Sequence, residues 1–286
     1  MTGEVHIGGH PHVTRASFEA GRALLDFVDA HDDILFLISG GGSACVEVAL
    51  GDEEEVSRKN AEWIASGMTI AEINARRRTL SAIKGGKLAA RVRGRAVTLV
   101  YSDVSAGALH DVASGPTIPG SEAVLVADNA TLVRAAAQII GDNAVVVEEQ
   151  IESDVADAAL FLADRARRLR PGQVLVAGGE PTVVVRGRGR GGRCSELAVR
   201  FAAICEKEAL FGSSDGVDGN SGVAGFRMPG RLEAGGAAGW KPALREALQA
   251  ALERSDSYPI AAQVGEPIMI APTGNNLRDL FLVACV

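Results

Sequence analysis

Phe18, Leu24, Leu25 and Val28 recur at helical spacing over residues 17–29, and five residues later the pattern changes to an unbroken apolar run, Ile34-Leu-Phe-Leu-Ile38. The first stretch predicts an amphipathic helix, the second a strand covered on both faces. Helical patterning returns over 53–66, where Val56, Ala61, Trp63 and Ile64 form the apolar side and Gly67 the stop, and again over 70–83. Strands are predicted at 96–102, 123–127, 144–147, 174–177, 182–185, 267–270 and 281–286, and helices at 130–140, 154–169, 195–208 and 244–252. Such alternation predicts an α/β protein. Arg170-Pro-Gly172 breaks the pattern. We therefore expect one domain over 1–171 and a smaller α/β domain over 172–286.

Composition narrows the function classes. A net charge of −7 over 286 residues gives neither a basic face for nucleic acid nor one for anionic lipid, and no apolar run has the length of a membrane span. The amino terminus shows no basic segment followed by an apolar one, so the expected compartment is the cytoplasm. Cys45, Cys194, Cys205 and Cys285 are scattered without a C-x-x-C pair, which fits reduced thiols. His6, His10 and His12 lie among Gly8, Gly9 and Pro11 without a carboxylate cluster and read as a polar turn.

The candidate chemistry sits where strands end. Ser39-Gly-Gly-Gly-Ser43 follows the first apolar strand, and Gly40, Gly41 and Gly42 can turn several N–H groups towards one anion; the alternative is a plain tight turn. Lys84 stands against Gly85 and Gly86 as a candidate phosphate-binding point charge. Asp103 closes strand 96–102, where ligands of open parallel sheets gather, and a cap or turn aspartate is the other reading. Arg186-Gly-Arg-Gly-Arg-Gly-Gly-Arg193 precedes a helix and reads as a second anion loop: Gly187, Gly189, Gly191 and Gly192 allow close backbone approach, and arginine supplies bidentate donors. Asp215 and Asp218 lie three apart in a polar loop, spaced to hold a cation or to serve as base, or simply as turn residues.

Taken in order, these motifs resemble the glycerate 2-kinase family. The resemblance rests on Leu37-Ile-Ser-Gly-Gly-Gly-Ser43, Glu72-Ile-Asn-Ala-Arg-Arg-Arg-Thr-Leu-Ser-Ala-Ile-Lys-Gly-Gly86, Ser102-Asp-Val104, Ala113-Ser-Gly-Pro-Thr117, Gly178-Gly-Glu180, Gly189-Arg-Gly-Gly-Arg193 and Asp215-Gly-Val-Asp-Gly219, and it spans nearly the whole chain. It implies a Rossmann-like parallel-sheet α/β domain followed by a smaller α/β domain, and transfer of a phosphoryl group from ATP, with Mg2+, to the 2-hydroxyl of glycerate or a related small hydroxy acid, in a cleft between the two. Ser39, Gly40, Gly41, Gly42 and Ser43 would cradle anionic groups together with the 187–192 loop. Asn74 and Arg77 would bind the acid, Asp103 and Asp218 the metal, Arg193 and Lys84 would neutralise the moving phosphoryl, and Asp215 would orient or deprotonate the hydroxyl.

Family members carry a Gly-Lys lysine upstream of the segment seen here at Gly8-Gly-His-Pro11, and the expectation is that Lys84 stands in for it. Thr79, Cys194-Ser195, the turn at 105–109 and Asn220-Ser-Gly222 also depart from the family pattern. The partners expected are a nucleotide and a small anionic substrate, with an open sheet edge paired in a homodimer. The alternative is a catalytically silent homologue that binds nucleotide or anion.

Overall fold

In the computed structural model, which describes residues 3–105, 107–230 and 242–286, the first helical stripe forms α1 (Arg15–Ala30). Ser17 fixes its start by accepting hydrogen bonds from the Gly9 and Thr14 N–H groups, and Phe18 and Val28 face inward. There follow β1 (Ile34–Ile38), the single turn α2 (Gly42–Cys45), α3 (Glu53–Ala65), α4 (Ile70–Leu80), β2 (Ala96–Tyr101) and β3 (Glu122–Ala127). Asp52 caps α3 through the Glu55 N–H, and Thr69 and Glu72 form a reciprocal capping box on α4, so both helices begin where polar side chains satisfy free backbone donors. The three strands form a parallel sheet, β1-β2-β3, with Phe36 beside Thr98 and Thr98 beside Ala123.

Ile34 and Phe36 pack with Val28, Ile83 and Leu88, whereas Leu35 and Leu37 on the other face are 59% and 74% exposed. Thus β1 is covered on one face and not, as its apolar run suggested, on both.

The second unit contains α5 (Asn129–Ile140), β4 (Ala144–Val146), α6 (Val155–Arg167), β5 (Val174–Gly179), α7 (Arg193–Ala202), β6 (Glu208–Ser213), β7 (Gly225–Met228), α8 (Pro242–Leu252), α9 (Ser257–Val264), β8 (Glu266–Ile268) and β9 (Asp279–Ala284). Its six-stranded sheet runs β4-β5-β9-β6-β7-β8. β4 and β5 are parallel and the remaining pairs antiparallel, so the last strand inserts at the centre of the sheet. Phe201, Phe211 and Phe281 stack through its core with ring centroids 5.3 and 6.0 Å apart, beside the buried faces of α6 and α7.

The chain divides into compact units at 128/129 rather than at 171/172. Residues 129–171 belong with the second unit because β4 pairs with β5 and because Ala158, Leu162, Ala163 and Ala166 of α6 lie in that unit's core. The carboxy-terminal unit is consequently the larger one. The predicted strand at 182–185 is reduced to one bridge, between Thr182 and Asp154, and Val184 and Val185 are exposed. Among the described residues no helix is long and apolar enough to cross a membrane.

Candidate functional site

In the first unit the chain leaves β1 through Ser39 and Gly40 and turns at Gly41, whose φ of 80° lies in the left-handed region. Gly40 is required by its neighbour: a Cβ there would lie 1.7 Å from Asp103 Oδ2, so only glycine allows the carboxylate at the end of β2 to rest on the turn. Ser43 Oγ is 2.7 Å from Ser114 Oγ, which donates to Asn74 Oδ1 at 2.8 Å. Ser114 is fully buried at φ +62°, next to Ala113 at +52°. Two consecutive non-glycine residues in the left-handed region cost backbone energy, and such strain persists where surrounding structure holds it for a purpose. Here it delivers a hydroxyl to the glycine turn. The His10 ring stands against the same turn, 3.7 Å from where a Gly41 Cβ would be.

Lys84 reaches this region from beneath. Its ammonium donates to Glu47 Oε2 at 2.5 Å and to the Val46 carbonyl at 3.3 Å, and Lys84 and Glu47 are each 1% exposed. Burial lowers the lysine pKa, with the attraction of Glu47 opposing it. Lys84 is therefore an internal ion-pair partner, not the accessible point charge that Gly85 and Gly86 suggested.

Arg77, one turn after Asn74 on α4, is 5% exposed. Its Nε donates to Asn60 Oδ1 at 2.8 Å, its two Nη groups have no hydrogen-bond partner among the described residues, and it makes no ion pair there. Burial lowers its pKa and Glu47 partly offsets the effect, so two interior cations share one carboxylate. A cavity of about 350 Å³ connects part of this set: Ser39, Gly40, Gly42, Cys45 and Lys84 line it together with Phe36, Ile83 and Leu88. Apolar walls with a few converging polar groups are the usual composition of a small-molecule site.

In the second unit the arginine–glycine octet folds back on its own scaffold. The N–H groups of Gly189, Arg190, Gly191 and Gly192 donate to the Arg254 carbonyl, Asp256 Oδ1, Asn220 Oδ1 and Ser195 Oγ. Arg190 stacks on Tyr258 and donates through Nε to the Ser221 carbonyl at 2.7 Å. These N–H groups are committed within the chain, so the loop is not an open phosphate cradle. Its glycines admit neighbouring chain instead, as at Gly187, where a Cβ would lie 2.6 Å from the Arg254 carbonyl oxygen, and at Gly192, where it would lie 2.2 Å from Asp218 Oδ1.

Asp218, expected as a metal ligand, accepts from the N–H groups of Cys194 and Ser195 at 2.8 and 2.9 Å and caps α7 from within. Burial raises its pKa, and these two donors and Arg193 pull the other way. Both oxygens are engaged in a buried cap, which does not fit a cation site, and Asp103 is folded onto Gly40. No group of three or more His, Cys, Asp or Glu side chains arranged to hold a metal occurs among the described residues. Asp215 Oδ1 accepts from Ser213 Oγ and the Val217 N–H, both at 2.8 Å, an aspartate turn at the end of β6 with its other oxygen bearing no such bond.

Arg193 opens α7 and keeps 28% of its side chain exposed. Asp279, at the start of β9, takes Nε at 2.6 Å and Nη2 at 3.1 Å, and Glu180 takes Nη1 at 2.9 Å. Burial works against the arginine's charge, but Asp279 and Glu180 more than offset it and raise its pKa. Burial pushes Asp279 up to about 6 despite that arginine. The structure thus gathers Ser39, Gly40, Gly41, Gly42, Ser43, Asn74, Lys84 and Asp103 around the glycine turn, with Arg77 facing the Glu47 that holds Lys84; in the second unit Arg193 faces Asp218, and Asp215 makes its contacts with Ser213, Val217 and Thr273. Sequence reasoning missed Glu47, Ser114 as a hydroxyl donor, Arg278 and Asp279. Ser114 lay inside a quoted motif, but nothing local distinguishes the other three.

Comparison with known proteins agrees with this arrangement. Residues 2–146 match a family described as a domain of unknown function (DUF4147), and residues 173–279 match the MOFRL family. A D-glycerate 2-kinase of Thermotoga maritima is 30% identical over 332 residues, covering 98% of this chain and 79% of that protein. A glycerate 2-kinase of Sulfurisphaera tokodaii is 31% identical over 327 residues, with the same coverage of 98% and 79%. The crystal structure of glycerate kinase from Thermotoga maritima superposes with a TM-score of 0.83 at 28% identity, covering 98% of this chain and 80% of that one. The chain is a two-unit α/β protein whose fold is that of this neighbour. The chain belongs to the glycerate 2-kinase family, with DUF4147 and MOFRL regions.

Proposed function

We propose that this protein transfers the γ-phosphoryl group of ATP, delivered as its magnesium complex, to the 2-hydroxyl of glycerate or a closely related hydroxy acid. The observation that carries the reading is Arg77: a side chain 5% exposed, whose Nη groups make no hydrogen bond among the described residues and whose facing carboxylate, Glu47, is already paired with Lys84. A buried, permanently charged group in that state calls for an anion, and a planar fork suits a carboxylate. Asn74, Ser43 and Ser114 supply polar atoms on the same side of α4 and at the glycine turn, suited to the hydroxyls of a short acid.

Phosphoryl transfer asks a protein mainly for positioning and charge stabilisation. Arg193 would stabilise the oxygens of the moving phosphoryl, and Asp215 would orient the attacking hydroxyl through the oxygen not used in its own turn. Names and overall likeness of the relatives support the same reaction class.

The test is a coupled ADP-release assay with magnesium-ATP and a panel of small hydroxy acids, beside calorimetric titration of ATP. Acid-dependent ADP release, with glycerate among the best acceptors and strongly reduced by Arg77→Gln, is expected. ATP binding without turnover on any acid would instead identify a silent homologue.

A further inference from the structure

Arg193 is one link in a chain of alternating charges. Asp279 holds Nε and Nη2 on one side, Glu180 holds Nη1, and the second Glu180 oxygen lies 3.4 Å from Arg278 Nε. Arg278 in turn donates through Nη1 to Gln150 Oε1 at 2.7 Å and to the Glu152 carboxylate.

Of these partners Asp279 is the one that cannot move. It is fully buried at the first position of β9, the central strand of the sheet, opposite Gly179 of β5 on one side and Ser213 of β6 on the other. Glu180 is part-exposed and lies just beyond β5, so it follows Arg193 more than it directs it. A guanidinium has five N–H bonds; the hydrogen bonds to Asp279 use two, on Nε and Nη2, and Glu180 makes an ion pair with Nη1. The N–H bonds left on Nη1 and Nη2 lie in the plane that Asp279 sets. That plane is what a bidentate contact to a phosphoryl group requires.

We propose that Asp279 is the positioning residue for Arg193 in phosphoryl transfer: by gripping Nε and Nη2 it fixes the guanidinium plane so that the remaining N–H bonds meet two oxygens of the transferred group. This rests on the kinase reading above. Neither family match nor relative assigns Asp279 a role, and it acts through Arg193 without touching the reacting atoms. The other ionisable groups that face it are Glu180, Asp218 and the Cys194 thiol.

The experiment compares wild type, Asp279→Asn and Asp279→Glu in steady-state kinetics with the best acceptor acid, and follows the Nε–Hε resonance of Arg193 by 15N NMR. A catalytic group displaced by about 1 Å costs about 100-fold in rate. Asp279→Asn should therefore lose about that much in kcat while KM for the acid stays near wild type, and the Nε–Hε proton, slow to exchange in wild type, should exchange rapidly. Wild-type kcat in Asp279→Asn, or an unchanged Nε–Hε signal, overturns the proposal. Should Asp279→Asn fail to fold, Asp279→Glu decides, because it keeps the charge and shifts it by one methylene: kcat must fall with KM unchanged, and wild-type kcat overturns the proposal. If wild type itself turns over no acid, the kinase reading fails, and the NMR signal alone tests whether Asp279 pins Arg193.

Discussion

Glu47 and Lys84 form an ion pair inside the first unit, with Oε2 and Nζ 2.5 Å apart and both side chains 1% exposed. Removing one partner of such a pair leaves the other charge buried and alone, which costs about 3–5 kcal/mol. Glu47→Gln and Lys84→Met should each destabilise by about that amount in urea unfolding. The double variant Glu47→Gln/Lys84→Met should lose much less than the sum, because neither charge is then stranded. Additive losses would show that the two side chains do not depend on each other.

Arg77 presents the opposite case, a buried cation whose only facing carboxylate among the described residues, Glu47, is already engaged by Lys84. Groups held for function in this way usually weaken the fold. Arg77→Gln should melt no lower than wild type, yet lose about 2 kcal/mol of acid binding, the value of a charge-assisted hydrogen bond, read as a rise in KM of about thirtyfold. A large loss of stability with unchanged KM would make Arg77 a structural residue.

Gly192 and Asp218 lie so close that a Cβ on the glycine would meet Oδ1 at 2.2 Å. Gly192→Ala should push the carboxylate off the Cys194 and Ser195 N–H groups and uncap α7, at a cost of about 1–3 kcal/mol. Asp218→Ala should cost a similar amount, and the double variant Gly192→Ala/Asp218→Ala scarcely more than either, since both act on one cap. Chemical denaturation of the three variants checks this.

The octet shows why some of the site was legible and some was not. Its composition was read correctly as a glycine loop leading into a helix, but the partners that require those glycines, Arg254, Asp256 and Asp218, lie tens of residues away in the sequence. Local pattern carries no information about them. Likewise, the pair Gly85-Gly86 announces a turn after Lys84 but cannot say that the lysine points inward at Glu47. The apolar run of β1 gave a strand and its glycine exit, because both are properties of a few consecutive residues. β6 and β7 escaped notice since glycine and polar residues interrupt them, and Asp279 lay within a stretch whose only local feature was an apolar strand. The strand predicted at 182–185 has the right residues but, among the described residues, no neighbour beyond Asp154 to pair with, which only the tertiary structure decides.

Asp279 connects this geometry to pH. Burial raises its pKa from 3.8 to about 6 in the folded protein, outweighing the attraction of Arg193. Between those values the folded state holds a proton that the unfolded chain has released, so this group's contribution to stability is fully present below about pH 3.8 and is lost as pH rises through about 6. The asparagine substitution Asp279→Asn has no such proton to lose. Measured by urea unfolding, the stability of wild type relative to Asp279→Asn should therefore fall on going from pH 4 to pH 7, by on the order of 2–3 kcal/mol. A difference that rises with pH over the same range would mean that Arg193 lowers the carboxyl pKa instead. With the fall that is expected, Asp279, like Arg77, carries its charge at neutral pH against the interest of the fold, as expected of a carboxylate retained to orient an arginine.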